Sequence, residues 1–126
     1  MALKILVAED DKTLQSLVKF KLKSAGFEVA TANDGAEALE YLGRERPDLL
    51  IVDLMMPVMS GKELIVEIKK NNVTKDIPLI ILTAKSLEKE VIEGFSLGAD
   101  DYIKKPFSPS ELVARVKNLL SRSTSS

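Results

Sequence analysis

The 126-residue sequence contains no cysteine and no histidine. Without cysteine there are no disulfides and no thiolate metal sites. Without histidine there is no imidazole base, no usual zinc site and no phosphohistidine. A metal would have to be held by oxygen, which favours a hard cation such as Mg²⁺. A surplus of charge is missing too: 18 basic against 19 acidic residues leave a formal charge of −1. No broad field therefore draws the chain to nucleic acid or to an anionic membrane, and DNA binding by this segment is not expected. Long hydrophobic runs are also absent. Leu49–Val52 and Leu79–Leu82 fall far short of the roughly 20 residues a membrane span needs. The start, Met1-Ala2-Leu3-Lys4, has no signal-peptide pattern, so a cytoplasmic protein is the expectation.

What is present is a chain with 45% hydrophobic residues, enough for one folded core and too many for a disordered segment. Short apolar runs alternate with longer amphipathic stretches, the pattern of an α/β fold with a parallel sheet. Five strands are expected at Lys4–Ala8, Glu28–Ala32, Leu49–Val52, Leu79–Leu82 and Tyr102–Lys104. The first, third and fourth are apolar without alternation, as for strands covered on both faces. Five helical stripes lie between and after them. They are Leu14, Leu17, Val18, Leu22 and Ala25; Ala36, Leu39 and Leu42; Leu64, Ile65 and Ile68; Val91, Ile92 and Phe95; and Leu112, Val113, Val116, Leu119 and Leu120. Ser60-Gly61-Lys62-Glu63 and Ser108-Pro109-Ser110-Glu111 read as capping boxes. One domain over residues 1–121 is expected, with 122–126 a flexible tail or linker remnant.

Four of the strands end in residues able to handle a phosphoryl group: Glu9-Asp10-Asp11, Asp53, Thr83 and Lys105-Pro106. In an open parallel sheet the carboxyl ends of the strands share one edge, where ligands bind. Carboxylates about 5 Å apart repel by about 3 kcal/mol per pair at an effective dielectric near 20. Such a cluster is kept where a cation offsets the repulsion, and oxygen ligands favour Mg²⁺. Acidic residues at a helix start also suit the helix dipole; Asp11 fits that role, while Glu9 and Asp10 fit a site. A carboxylate can attack phosphorus to give an acyl phosphate. A hydroxyl at Thr83 and a cation at Lys105 would then hold the phosphoryl oxygens.

The strings ILVAEDD, LLIVDLMMPVMSG, IILTAK and GADDYIKKPF resemble the receiver domain of two-component response regulators, in order and over nearly the whole chain. The resemblance implies a flavodoxin-like (βα)5 three-layer sandwich with a five-stranded parallel sheet of order 2-1-3-4-5. It implies that Asp53 is the phosphoacceptor, served by a histidine kinase or phosphotransfer protein. Mg²⁺ would be held by Glu9, Asp10, Asp53 and the backbone carbonyl of Met55. Thr83 and the N–H of Ala84 would bind the phosphoryl group, and Lys105 would pair with the phosphorylated aspartate before a cis proline bond. Tyr102 resembles the switch aromatic that turns inward when the threonine moves. Such a domain is no conventional enzyme but takes up, and slowly loses, its own phosphoryl group. The thioether of Met55 cannot orient a water well, so loss should be slow.

GADDYIKKPFSPSELVAR is most similar to receivers of winged-helix transcriptional regulators, which dimerise through the fourth helix, fifth strand and fifth helix. Asp101 and Arg115 match a usual intersubunit pair there and Glu111 is present, whereas Val91 and Leu97 stand where charged partners are normal. A phosphorylation-dependent homodimer through the 87–121 face is thus an expectation to set against an ordinary charged surface. Rival readings are a haloacid-dehalogenase-type phosphatase, a degenerate receiver serving as a constitutive protein-binding module, and a flavodoxin. Met55 replaces the general acid of the first. The second usually lacks a key residue, and the acidic turn after the first strand would repel the flavin phosphate of the third.

Overall fold

Each apolar run becomes a strand and each described stripe a helix. The structure, a computed structural model, describes residues 2–84 and 96–124. The strands are β1 (Lys4–Ala8), β2 (Glu28–Ala32), β3 (Leu49–Asp53), β4 (Leu79–Thr83) and β5 (Asp101–Lys104). The helices among the described residues are α1 (Lys12–Ser24), α2 (Gly35–Leu42), α3 (Gly61–Lys70) and α4 (Pro109–Thr124). All neighbouring strands are parallel, in the order β2-β1-β3-β4-β5, which is the flavodoxin-like arrangement.

Burial on both faces explains the unbroken apolar strands. Leu6, Ala8, Leu50, Val52 and Ile81 pack beneath Ala38, Leu64, Ile65 and Ile68 of α2 and α3. Ile5, Val7, Ile51, Ile80 and Leu82 face the other way, onto Val18 and Leu22 of α1 and Leu112, Val116 and Leu119 of α4. The alternation belongs to the strand pleat, in which successive side chains point to opposite faces, and both faces are dry.

Side-chain oxygens start the helices. Asp11 accepts the Leu14 N–H, Asp34 accepts the Glu37 N–H, and Ser60 and Glu63 form a full capping box. The second expected box is built differently. The Ser108 hydroxyl accepts the Ser110 N–H at 3.2 Å, while the Glu111 carboxylate reaches forward to Arg115.

Three other expectations shift. Strands β3 and β4 run one residue further than expected, so Asp53 and Thr83 close their strands and are buried, and β5 begins one residue earlier, at Asp101. In α2, Ala38 is the core residue and Ala36 is exposed. In α1, Leu17 is 41% exposed, and Gln15 joins Val18 and Leu22 on the buried side. The stripe Val91, Ile92 and Phe95 lies outside the described residues.

Candidate functional site

A parallel sheet brings its strand ends together, and here β1, β3, β4 and β5 deliver Glu9, Asp53, Thr83 and Lys105 to one edge. Glu9 directly follows β1, while Asp53 and Thr83 end β3 and β4; all three are buried, at 0%, 3% and 0% exposure. Lys105 lies just past β5, and its ammonium sits 2.8 Å from Asp53 Oδ2 and 2.9 Å from Glu9 Oε1. The Lys105–Pro106 bond is cis. The other oxygens are held by main chain: Met55 N–H donates to Asp53 Oδ1 at 2.9 Å and Asp11 N–H to Glu9 Oε2 at 3.1 Å.

The electrostatics of this pocket are not settled by one lysine. Burial, reinforced by the Asp53 carboxylate, pushes the Glu9 carboxyl up to about 7 although Lys105 pulls it down. Burial would lower the Lys105 ammonium, but its bonds to Asp53 and Glu9 outweigh that and hold it above its ordinary value. Despite the short ion pair, Glu9 Oε1 is buried with no hydrogen-bond partner of good geometry. Exposed Asp10 adds a third carboxylate, and one oxygen from each of Glu9, Asp10 and Asp53 lies within 4.8 Å of the others. A buried acceptor short of donors and an all-oxygen set fit a hard divalent cation.

Thr83 and exposed Ala84 form the β4 end beside this cluster. Lys105 N–H donates to the Thr83 carbonyl at 2.8 Å, fixing the two strand ends together. Met55 is 57% exposed at the rim. Tyr102, in β5, is half-buried and packs against the α2–α3 side of the core. Asp101 and Arg115, read as a possible intersubunit pair, bond to each other within one chain at 2.7 Å.

Three features of the site were missed in the sequence. In the sequence Gly61 shows only as part of a cap. A Cβ there would lie 2.3 Å from the Asp53 carbonyl oxygen and 2.6 Å from Leu54 Cα, so its bare backbone lets α3 pack on the strand end that carries Asp53. Val58, in the loop after Asp53, has φ +68° and is 82% exposed, a strained conformation for a β-branched residue. Gln15 is buried, and its carboxamide donates to the Glu9 carbonyl at 2.8 Å, to Asn33 Oδ1 at 3.1 Å and to the Ala32 carbonyl at 3.3 Å. A polar residue on the stripe Gln15-Val18-Leu22 was the available signal.

The chain is similar to known proteins in both sequence and fold. The phosphate regulon transcriptional regulatory protein PhoB of Escherichia coli is 43% identical over 122 residues, covering 97% of this chain and 53% of its own length. The chain thus spans about half the length of the curated relatives it matches. The receiver domain of the Francisella response regulator 1452 superposes with a TM-score of 0.91 at 38% identity, covering 97% of this chain and 99% of that one. The receiver domain of the Pseudomonas aeruginosa sensor histidine kinase PA1611, solved with a magnesium ion in its active site cleft, gives 0.88 at 29% identity over 96% and 99% of the two chains. No helix among the described residues is long and apolar enough to cross a membrane. With residues 5–117 matching the response regulator receiver domain, the chain belongs to the receiver family of two-component response regulators.

Proposed function

We propose that this domain takes a phosphoryl group onto Asp53 from a phosphohistidine of a partner kinase or phosphotransfer protein, in a Mg²⁺-dependent reaction. The observation that carries the reading is the convergence of Asp53, Glu9 and Lys105 within 2.9 Å contacts at the carboxyl edge of the sheet. An oxygen of the Asp53 carboxylate attacks phosphorus. The P–N bond to the donor imidazole breaks, its electron pair leaves with the imidazole, and an acyl phosphate forms.

The residues divide the work. Met55 N–H and Lys105 hold the two Asp53 oxygens and so orient the nucleophile. Lys105 remains as a cation beside the charge that develops on the phosphoryl oxygens, while the Thr83 hydroxyl and Ala84 N–H serve as donors to them. Glu9, Asp10, Asp53 and the carbonyl of Met55 would hold Mg²⁺, which would supply neutralisation of phosphoryl and carboxylate charge. The exposed thioether of Met55 is only a weak acceptor and orients an attacking water poorly, which supports slower hydrolysis of the product than a carboxamide there would give.

A groove of about 460 Å³, lined by Leu14, Leu17, Ala84, Lys105, Pro106 and Phe107 among others, opens on the α1 side of Lys105. With the exposed Leu17 and Phe20 it offers an apolar seat for the donor protein. Movement of Thr83 towards the phosphoryl group, with Tyr102 turning inward, would shift a pre-existing equilibrium of the β5–α4 face.

The test is intact mass after incubation with acetyl phosphate and Mg²⁺. One phosphoryl adduct is expected, lost with EDTA and lost entirely in Asp53→Asn. A folded parent chain that gains no adduct would point instead to a constitutive binding module.

A further inference from the structure

We infer that Gln15 is a positioning residue for the cation site, setting divalent-cation affinity through the backbone of the acidic turn rather than by touching the ion. This rests on the Mg²⁺ reading above. Glu9 and Asp10 follow the last residue of β1; the Glu9 N–H still closes a rung to β2, but the main chain beyond it needs other partners. Glu9 N–H finds the Ala32 carbonyl at 3.0 Å. The Glu9 carbonyl finds the Gln15 carboxamide at 2.8 Å, and the same nitrogen reaches Ala32 O and Asn33 Oδ1.

One buried amide therefore ties the end of β1 to the end of β2. Its orientation is determined by chemistry. Asn33 Nδ2 donates to both oxygens of Glu37, at 3.1 and 3.2 Å, which turns Asn33 Oδ1 inward as an acceptor for Gln15 and for Lys12. Gln15 must then present its nitrogen, and all three of its partners are acceptors.

Gln15 is 8% exposed and sits on α1, whose N-cap Asp11 also donates its N–H to Glu9 Oε2. The helix thus holds the turn at two points, the Glu9 carbonyl and the Glu9 carboxylate. Outer-shell groups that orient metal ligands commonly govern affinity 10–100-fold. Neither the apolar stripe nor the core requires a carboxamide at this place, since Val18 and Leu22 on the same side are apolar.

The experiment is a calorimetric MgCl₂ titration of the whole chain and its Gln15 variants, with folding checked separately by urea unfolding in EDTA. Gln15→Met keeps length and removes the donor; its Mg²⁺ Kd should rise about 10-fold or more. Gln15→Asn keeps the amide but shortens its reach, and should weaken binding similarly. It also carries the test if the methionine variant does not fold. Folded variants with the parental Kd, whatever their stability, would reduce Gln15 to a core residue and overturn the inference alone. A parent chain that binds no Mg²⁺ would overturn the cation site and this inference together.

Discussion

The two edges of the sheet use the same residue type to opposite ends. At the amino edge, Asp48 and Asp100 each lie just before a strand and accept the first amide of the neighbouring one: Lys4 N–H to Asp48 Oδ2 and Leu79 N–H to Asp100 Oδ2, both at 2.8 Å. Their own N–H groups donate back to the Lys4 and Leu79 carbonyls at 2.7 and 2.8 Å. Each carboxylate there is spent on a neutral backbone partner and stands apart from the other. At the carboxyl edge, Glu9 and Asp53 are crowded onto one ammonium. Carboxylates that finish their hydrogen bonding locally lock strands together; carboxylates gathered faster than donors can satisfy them make a site.

Backbone strain divides the same way. The described glycines with positive φ, Gly26 at +98° and Gly98 at +104°, precede β2 and β5 at the amino edge, where glycine adopts that conformation at little cost. The positive φ at the carboxyl edge falls on Val58. The quiet edge uses the residue suited to its turn, and the chemical edge does not.

Removing the shared cation should separate the edges most strongly. Lys105→Met leaves two buried carboxylates uncompensated and should cost about 3 kcal/mol in urea unfolding with EDTA, with part of the loss recovered in Mg²⁺. Equal losses with and without Mg²⁺ would contradict a common cation site.

The pH dependence should also belong to the carboxyl edge. Glu9 has its carboxyl raised to about 7 from an ordinary value of 4.5. Its contribution to stability is therefore complete below 4.5 and is lost as pH rises through 7. In EDTA, the urea midpoint of the parent should fall between pH 5 and pH 8 by more than that of Glu9→Gln. A parallel fall in both proteins would assign the titration elsewhere.

At the amino edge, Asp100→Ala leaves the Leu79 N–H without its side-chain acceptor. It should cost about 2 kcal/mol while leaving the yield of phosphoryl adduct unchanged. A lower yield at equal folding would blur the division between the edges. The smallest effect is expected at Val58→Gly, which should relieve left-handed strain and gain about 1 kcal/mol net of the added chain entropy; Val58→Ala should gain little. No gain from glycine would show that the loop holds its conformation without strain.

The strands were legible because burial on both faces leaves unbroken apolar runs, and the residues at their ends named the site. Helix α2 was read less well. Eight residues hold barely two turns, so Ala36 and Ala38 could not be ranked until α3 covered one of them. Gly61 and Gln15 escaped for another reason. Their importance lies in a carbonyl that tertiary packing brings near, the Asp53 oxygen for one and the Glu9 oxygen for the other. The intrachain Asp101–Arg115 pair was likewise invisible in the sequence, where the same two residues suit a bond between chains.

Lys105 lies 52 residues beyond Asp53 in the chain and beside it in space. Synthesis runs from the amino terminus, so the acidic residues emerge from the ribosome long before the cation that neutralises them. Until β5 docks against β4, that charge can be offset only from solution, by a proton or a cation; the last strand brings the chain's own ammonium. The completion of the domain is thereby written into the same contact that would prepare its nucleophile.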